Sequence, residues 1–136
     1  MSAPADVDAS VRAWIAAWGA EVAAVELFRA RDRFDPDVVA FGTLADVVNG
    51  IDQLHDDQWA QVWPNIADFA FRVDDAEVLA SPDGMLAVGV VPWDSTGTDD
   101  AGRPFARPGR ATIVLARAGR DADWRGVHTH FSLARG

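Results

Sequence analysis

The sequence predicts an α+β fold in which N-terminal helices cover one face of an antiparallel sheet. Apolar residues recur at helical spacing over residues 7–30 and again over 51–63. Residues 67–133 instead alternate apolar and polar side chains, in runs separated by turn residues. Helices followed by consecutive strands are typical of α+β domains. With 136 residues and no low-complexity linker, we expect one domain over 1–136.

The helices and the first strand are expected in the N-terminal half. The first helical pattern, over 7–30, carries its large apolar residues on one side, and Gly19 is where we expect a kink or a break. A short strand should follow at 38–43. The second helical pattern, over 51–63, should end at Pro64 because proline cannot continue a helix.

Four long antiparallel strands are expected within 67–133. The clearest strand patterns after residue 67 cover 85–93, 105–117 and 124–133. The polar, glycine-rich stretch 95–102 should be a hairpin loop. This order places the helices on one face of a meander.

Composition excludes several classes of function. The net charge of −9 disfavours binding to phosphate backbones, so no nucleic-acid partner is expected. The absence of cysteine excludes disulfides, thiolate metal sites and cysteine nucleophiles. No apolar run is long enough to span a membrane, and the acidic start does not read as a signal peptide. We therefore expect a cytoplasmic protein with no membrane partner.

Several segments resemble one known family. The run from Trp124 to Ser132, with its His-x-His, resembles the last strand of SnoaL-like proteins, and the association domain of calmodulin-dependent kinase ends similarly. The stretch 109–114 resembles the strand that precedes the last strand in SnoaL-like proteins. The stretch 34–43, followed by Gly50, resembles the first strand and turn of the same family. The pairs Gln58-Trp59 and Trp63-Pro64 fit the intervening helix.

The resemblance to the SnoaL-like family, within the nuclear-transport-factor-2-like or ketosteroid-isomerase-like superfamily, implies a cystatin-like cone. In that architecture a curved antiparallel sheet is closed by N-terminal helices around a pocket, and members often dimerise through the convex face of the sheet. The superfamily includes enzymes as well as domains that only bind or assemble, so the fold does not choose between these functions.

Side-chain parity in the last two strands suggests which residues face the pocket. Because strand side chains alternate, Val127, Thr129 and Phe131 should share the apolar face that meets the helices. Aromatic residues on the helical faces would roof the same pocket. The predicted ligand-binding residues are Trp14, Trp18, Phe41, Trp59, Trp63, Ile113, Val127, Thr129 and Phe131.

The opposite parity carries polar residues that form either a dimer interface or a polar site. The candidates are Trp93, Arg110, Thr112, His128, His130 and Ser132. A β-bulge in either strand would exchange the two faces. His128 and His130 would stand about 7 Å apart at Cα, as in some metal sites. Because the sequence offers no third ligand for this pair, we expect no bound metal. Metal binding through the two histidines is kept as a second alternative function.

No complete catalytic set is present, so whether the chain is an enzyme stays open. Steroid isomerases of the superfamily use a tyrosine and a protonated aspartate, but this chain has no tyrosine and no acid in 111–116. The Asp-Arg-Asp set of epoxide hydrolases is not matched around Arg110. Arg107 and Arg110 flank Pro108-Gly109, and one of the two could hold a carboxylate at the pocket mouth, but a surface salt bridge with one of the many Asp residues is favoured.

The predicted function is that of a small dimeric domain with an apolar pocket for an unidentified small molecule. It would act as a SnoaL-like isomerase, cyclase or hydrolase, or bind without catalysis. The alternative is a non-catalytic assembly or protein-interaction domain. No cofactor is expected, and the expected partners are a second copy of the chain and a small apolar molecule.

Overall fold

In the computed structural model, residues 1–134 are described, and their helices pack against one face of a mixed sheet. The helices are α1 (Ala5–Ala23), α2 (Leu27–Arg31), α3 (Ile51–Leu54) and α4 (Ala60–Val62), with a π-helical turn at His55–Trp59 and 3-10 turns at Trp63–Asn65 and Val73–Asp75. The strands are β1 (Phe34–Phe41), β2 (Val48–Asn49), β3 (Ala67–Phe71), β4 (Glu77–Ala80), β5 (Leu86–Thr98), β6 (Pro104–Ala106), β7 (Gly109–Ala116) and β8 (Arg125–Leu133).

The sheet has the order β2-β1-β8-β7-β5-β3, with β4 and β6 also paired to β5. Every pair within 67–133 is antiparallel, as the strand patterns predict. The α+β fold class is therefore confirmed. One pair differs from the expected all-antiparallel sheet, because β1 lies parallel to β8.

Strand β5 is longer than the sequence predicts. Residues 95–98, expected in a loop, continue the strand, and Ser95 turns inward and is buried. The hairpin turn is confined to 99–102, where the Asp99 carboxylate accepts hydrogen bonds from the backbone N–H groups of Ala101 and Arg103, each at 2.9 Å.

The N-terminal helical pattern breaks later than expected. Val25, between α1 and α2, has a φ of 55°, a left-handed conformation that ends the first helix. Gly19 lies inside α1, and a Cβ there would be 2.9 Å from Phe71 Cδ2, so glycine permits close helix–sheet packing. Among residues 1–134, no helix combines the length and apolar character needed to cross a membrane.

Trp18 lies at the centre of the core and is 1% exposed. Its ring centroid is 5.0 Å from that of Phe34, 5.5 Å from that of Phe131 and 5.6 Å from that of Phe71. One charged group is buried near the same helix: Glu21 accepts a 2.7 Å hydrogen bond from Arg33 Nε. That ion pair fixes the end of α1 against the segment entering β1.

A β-bulge in β8 sets which side chains face the helices. Val114 pairs with His128, but Leu115 pairs with Gly126, so Val127 is the extra residue. We call the side of the sheet that meets the helices the inner face and the opposite side the outer face. Thr129 is on the inner face because it pairs with Ala40, which is fully buried. Gly126 is also on the inner face, since a Cβ there would lie 2.5 Å from the buried ring of Phe34.

Candidate functional site

A cavity of about 40 Å³ lies between the helices and the inner face. Its walls come from α1, the end of β1, the segment 54–66 and the inner faces of β3, β5 and β8. A cavity needs about 10–15 Å³ of such volume to hold one water molecule, so this cavity has room for roughly three water molecules. Pockets that enclose drug-sized ligands are about 300–1,000 Å³, so a larger ligand requires the walls to move or must extend to the surface.

Six of the predicted ligand-binding residues line this cavity: Trp18, Phe41, Trp59, Trp63, Thr129 and Phe131. The π-helical turn brings two lining residues, Gln58 and Trp59, to the cavity within one turn. Such turns occur often at functional sites. That these residues bind a ligand remains a prediction.

Three predicted residues do not reach the cavity. Trp14 is buried one turn earlier on α1, where its Nε1 donates to the carbonyl oxygen of Trp124 at 3.2 Å. Ile113 is fully buried beneath α1 and does not line the cavity. Val127 is the bulged residue, half-buried and outside the lining. A bulge cannot be recognised from alternation alone, because the pattern stays regular around it.

Trp93 corrects the parity argument. The sequence placed it with the polar candidates, but it is 1% exposed and lines the cavity. It has the same parity in β5 as the buried residues Val91 and Ser95. Phe41 was predicted to face the pocket, but its ring lies toward the outer face, with its centroid 4.1 Å from that of His130. The residue still borders the cavity.

The polar side of the cavity is built from Thr43, Gln58 and Arg107. Gln58 Oε1 accepts hydrogen bonds from the backbone N–H groups of Leu44 at 3.1 Å and Ala45 at 2.7 Å. Its Nε2 donates to Thr43 Oγ1 at 3.2 Å, and Arg107 Nη2 donates to the same oxygen at 3.0 Å. These contacts connect the loop after β1 to the start of β7. Sequence parity missed this cluster because all three of its members lie outside the strands.

Arg107 does not form the expected surface salt bridge. Within residues 1–134, no carboxylate lies within 4.0 Å of its guanidinium, and that expectation was wrong. The guanidinium carbon sits 5.6 Å from the centroid of the Trp93 ring. Burial lowers the pKa of Arg107 from its ordinary value because desolvation disfavours the charged form. The cavity therefore holds a cation without an acidic partner among the described residues.

Two further donors in the wall lack an acceptor. The indole Nε1 atoms of Trp18 and Trp93 are buried and have no hydrogen-bond partner among the residues described. Both side chains line the cavity. Buried indole N–H groups usually find a partner, so two together deserve explanation.

The remaining polar candidates lie on the outer face, as predicted. His128 Nδ1 lies 2.7 Å from the Val39 carbonyl oxygen, so this nitrogen carries the proton and donates. Thr112 pairs with His130, and Arg110 pairs with Ser132. Within the described part of the chain, no group of three His, Cys, Asp or Glu side chains could hold a metal ion. The metal-binding alternative therefore gains no third ligand there.

A mixed sheet covered on one face by helices around an aromatic cavity is the architecture of the cystatin-like, nuclear-transport-factor-2-like fold class. The family model for the SnoaL-like domain matches residues 11–136, so the chain belongs to that family. The family predicted from the sequence segments is thereby confirmed.

Solved structures of similar fold support the same class. A ketosteroid isomerase-like protein from Erwinia carotovora is 15% identical, with a TM-score of 0.78 over 94% of this chain and 96% of its own. A nuclear transport factor 2-like superfamily protein from Salmonella enterica is 18% identical, with a TM-score of 0.77 over 98% and 95%. A cystatin-like-fold protein from Caulobacter vibrioides is 18% identical, with a TM-score of 0.74 over 96% and 91%. At these identities the likeness shows the fold. Comparison with curated protein sequences gives no match.

Proposed function

We propose that this chain is a small-molecule-binding domain whose ligand enters the aromatic cavity between the helices and the inner face. The observation that carries the proposal is the lining itself: mostly Trp, Phe and aliphatic side chains, with one cluster of polar groups at one side. Small-molecule sites commonly combine a large apolar wall with a few polar anchors. A wall built only for core packing would not place a guanidinium without an acidic partner there.

Binding without acid–base catalysis is the form of this proposal that the lining supports. The described lining contains no Asp, Glu or His, so its side chains offer no ordinary general base. A ketosteroid isomerase-like protein shares the fold, but the tyrosine and aspartate of that chemistry have no counterpart here. Isomerase- or hydrolase-type activity would need a proton acceptor from the ligand or from solvent.

The proposal is tested with benzyl alcohol, a neutral one-ring probe, titrated while tryptophan fluorescence is followed. Four tryptophans line the cavity, so occupancy should change the emission in a saturable way. Val62 is half-buried at the cavity and Val47 is 59% exposed in a loop outside it. Val62→Phe should fill part of the cavity and weaken binding at least tenfold, whereas Val47→Phe should bind like the parent. Absence of saturable binding, or equal binding by Val62→Phe, would refute the proposal.

A second candidate function, assembly through the outer face, is favoured by the apolar residues exposed there. Val39 on β1 is 38% exposed, and Leu86 and Val90 on β5 are 45% and 41% exposed, with β8 and β7 between the two strands. A sheet face that remains in water is usually polar, whereas interface cores are apolar and depleted in charge. We propose that two copies of the chain pair through this face, with His128 and His130 inside the contact.

Sedimentation at micromolar concentration tests the pairing. The parent should sediment as a dimer, and Val90→Glu should dissociate it because an unpaired charge would be buried. Val47→Glu, which places the same charge on an exposed loop residue, should leave the dimer intact. A monomeric parent at these concentrations would contradict the proposal.

A further inference from the structure

We propose that Arg107 anchors a carboxylate group of the ligand, and that the ligand is therefore a small monoanion with an aromatic or aliphatic body. The inference rests on the proposed function of the cavity and names the chemical class that the cavity accepts.

The position of Arg107 suits an anchor. Arg107, Thr43, Val62 and Ile66 line both the cavity and an adjoining surface groove, so the guanidinium stands where the two meet. The groove continues past Phe105, whose side chain is 47% exposed. A carboxylate held at this junction leaves the body of the ligand free to enter the aromatic cavity or to lie in the groove.

The charge of Arg107 is incompletely compensated. The chain carries 21 acidic residues, yet none within residues 1–134 approaches this guanidinium to within 4.0 Å. The face of Trp93 offsets part of the cost of burial through a cation–π contact. A ligand carboxylate would complete the compensation, because a planar guanidinium binds a carboxylate through two parallel hydrogen bonds.

The spare hydrogen-bonding capacity of the described cavity side chains consists mainly of donors. Thr43 Oγ1 already accepts from Gln58 and Arg107, so both of its acceptor positions are used and its O–H remains to donate. Gln58 Oε1 also accepts twice, which leaves one N–H of its amide. The Nε1 donors of Trp18 and Trp93 have no acceptor among the described residues. Such a surplus of donors favours an oxyanion over a neutral or cationic ligand.

Two effects limit the charge of the ligand to about one unit. The net charge of −9 repels anions, although screening at physiological salt weakens this beyond about 8 Å. Among the described residues, the lining supplies one cationic side chain, that of Arg107, and otherwise apolar or neutral groups. A phosphate dianion would leave one charge without a partner in an apolar cavity, which is costly. A carboxylate is therefore favoured over a phosphomonoester.

The test compares benzoate, benzyl alcohol and phenyl phosphate, which share one ring and differ in charge. Affinities are measured by tryptophan fluorescence and by calorimetry for the parent, Arg107→Gln, Arg107→Lys and Arg103→Gln. Arg103 is exposed in the hairpin loop and serves as the matched control. The parent and Arg103→Gln should bind benzoate at least tenfold more tightly than benzyl alcohol or phenyl phosphate. Arg107→Gln should remove that preference while still binding benzyl alcohol, and Arg107→Lys should restore part of it.

The outcomes separate this inference from the proposed function. Equal affinities of the parent for benzoate and benzyl alcohol would overturn the carboxylate anchor and leave the cavity as a neutral apolar site. Binding of none of the probes would refute both proposals. Tighter binding of phenyl phosphate would overturn the choice of a carboxylate. If Arg107→Gln does not fold, the ratio of benzoate to benzyl alcohol affinity still tests the carboxylate anchor. That ratio should be high in the parent and partly kept in Arg107→Lys.

Discussion

Replacing Gly109 with alanine should destabilise the fold because two fixed groups occupy the space of the new methyl. A Cβ at this position would lie 2.1 Å from Trp93 Cζ2 and 2.5 Å from the carbonyl oxygen of Ser132. Trp93 is 1% exposed and packed against other rings, so the indole has little room to withdraw. The Ser132 oxygen belongs to the paired strand and moves only if the β7–β8 ladder shifts.

The expected loss is about 2 kcal/mol in the free energy of unfolding. Overpacking typically costs about 1–3 kcal/mol, and contact with both a buried ring and backbone places Gly109→Ala near the upper end. Alanine also restricts the unfolded chain, which offsets about 0.4–1 kcal/mol. For a domain of this length the difference corresponds to a fall in Tm of roughly 6–8 °C.

Urea denaturation followed by near-ultraviolet circular dichroism measures this effect. Gly119→Ala is the matched control, because a Cβ there meets nothing within 4 Å, and its stability should stay equal or rise slightly. Combining Gly109→Ala with Trp93→Phe should cost less than the sum of the two single changes, because the shorter ring yields space. A Gly109→Ala protein within about 0.5 kcal/mol of the parent would refute the packing argument.

Three further changes probe other parts of the structure. Glu21→Gln should lower the free energy of unfolding by about 1–2 kcal/mol, because Glu21 is buried and paired with Arg33. Glu26 forms an exposed pair with Arg29, so Glu26→Gln should have no measurable effect in the same urea titration. Gln58→Leu should cost about 1 kcal/mol and speed hydrogen exchange at the two loop amides that its side chain caps; unchanged exchange would contradict this. Hydrogen bonds from the backbone and from a serine lower the pKa of Asp83, so the folded state favours the ionised carboxyl. The contribution of Asp83 to stability should be present above the unfolded pKa of about 3.9 and disappear as pH falls through the lower folded pKa. The difference in urea midpoint between Asp83→Ala and the parent should therefore be full at pH 7 and shrink as the pH is lowered below the unfolded pKa.

Much of the fold could be predicted because the spacing of apolar residues and the positions of turn-forming residues are local properties of the chain. The helical spacing before residue 31 and the alternation after residue 67 each match the structure. The break after α1 was misplaced because a left-handed Val25 has no sequence signature, whereas Gly19 looks like a breaker but serves packing. The parallel pairing of β1 and β8 could not be read from either strand, since pairing depends on residues far apart in sequence.

The site was only partly predictable for the same reason. Alternation correctly placed Thr129 and Phe131 inward and His128 outward, because all three follow the bulge. It failed at Val127, which is the bulged residue itself. Arg107 was named from the sequence, but whether an acid would meet it depends on tertiary contacts that composition does not encode.

The placement of β8 has a consequence for the order in which the molecule can be made. Strand β8 joins β1 to the rest of the sheet. His128 on β8 donates to the carbonyl oxygen of Val39 on β1, and the two residues are 89 positions apart in the sequence. During synthesis, β1 must wait for its neighbour while about eighty residues are added, on the order of ten seconds at ribosomal speeds. Helix α1 instead packs against β3, β4 and β5, all of which are synthesised before β8, so β1 is the element whose pairing is delayed longest. Long-range closure of this kind also makes refolding slow relative to helical proteins of equal size.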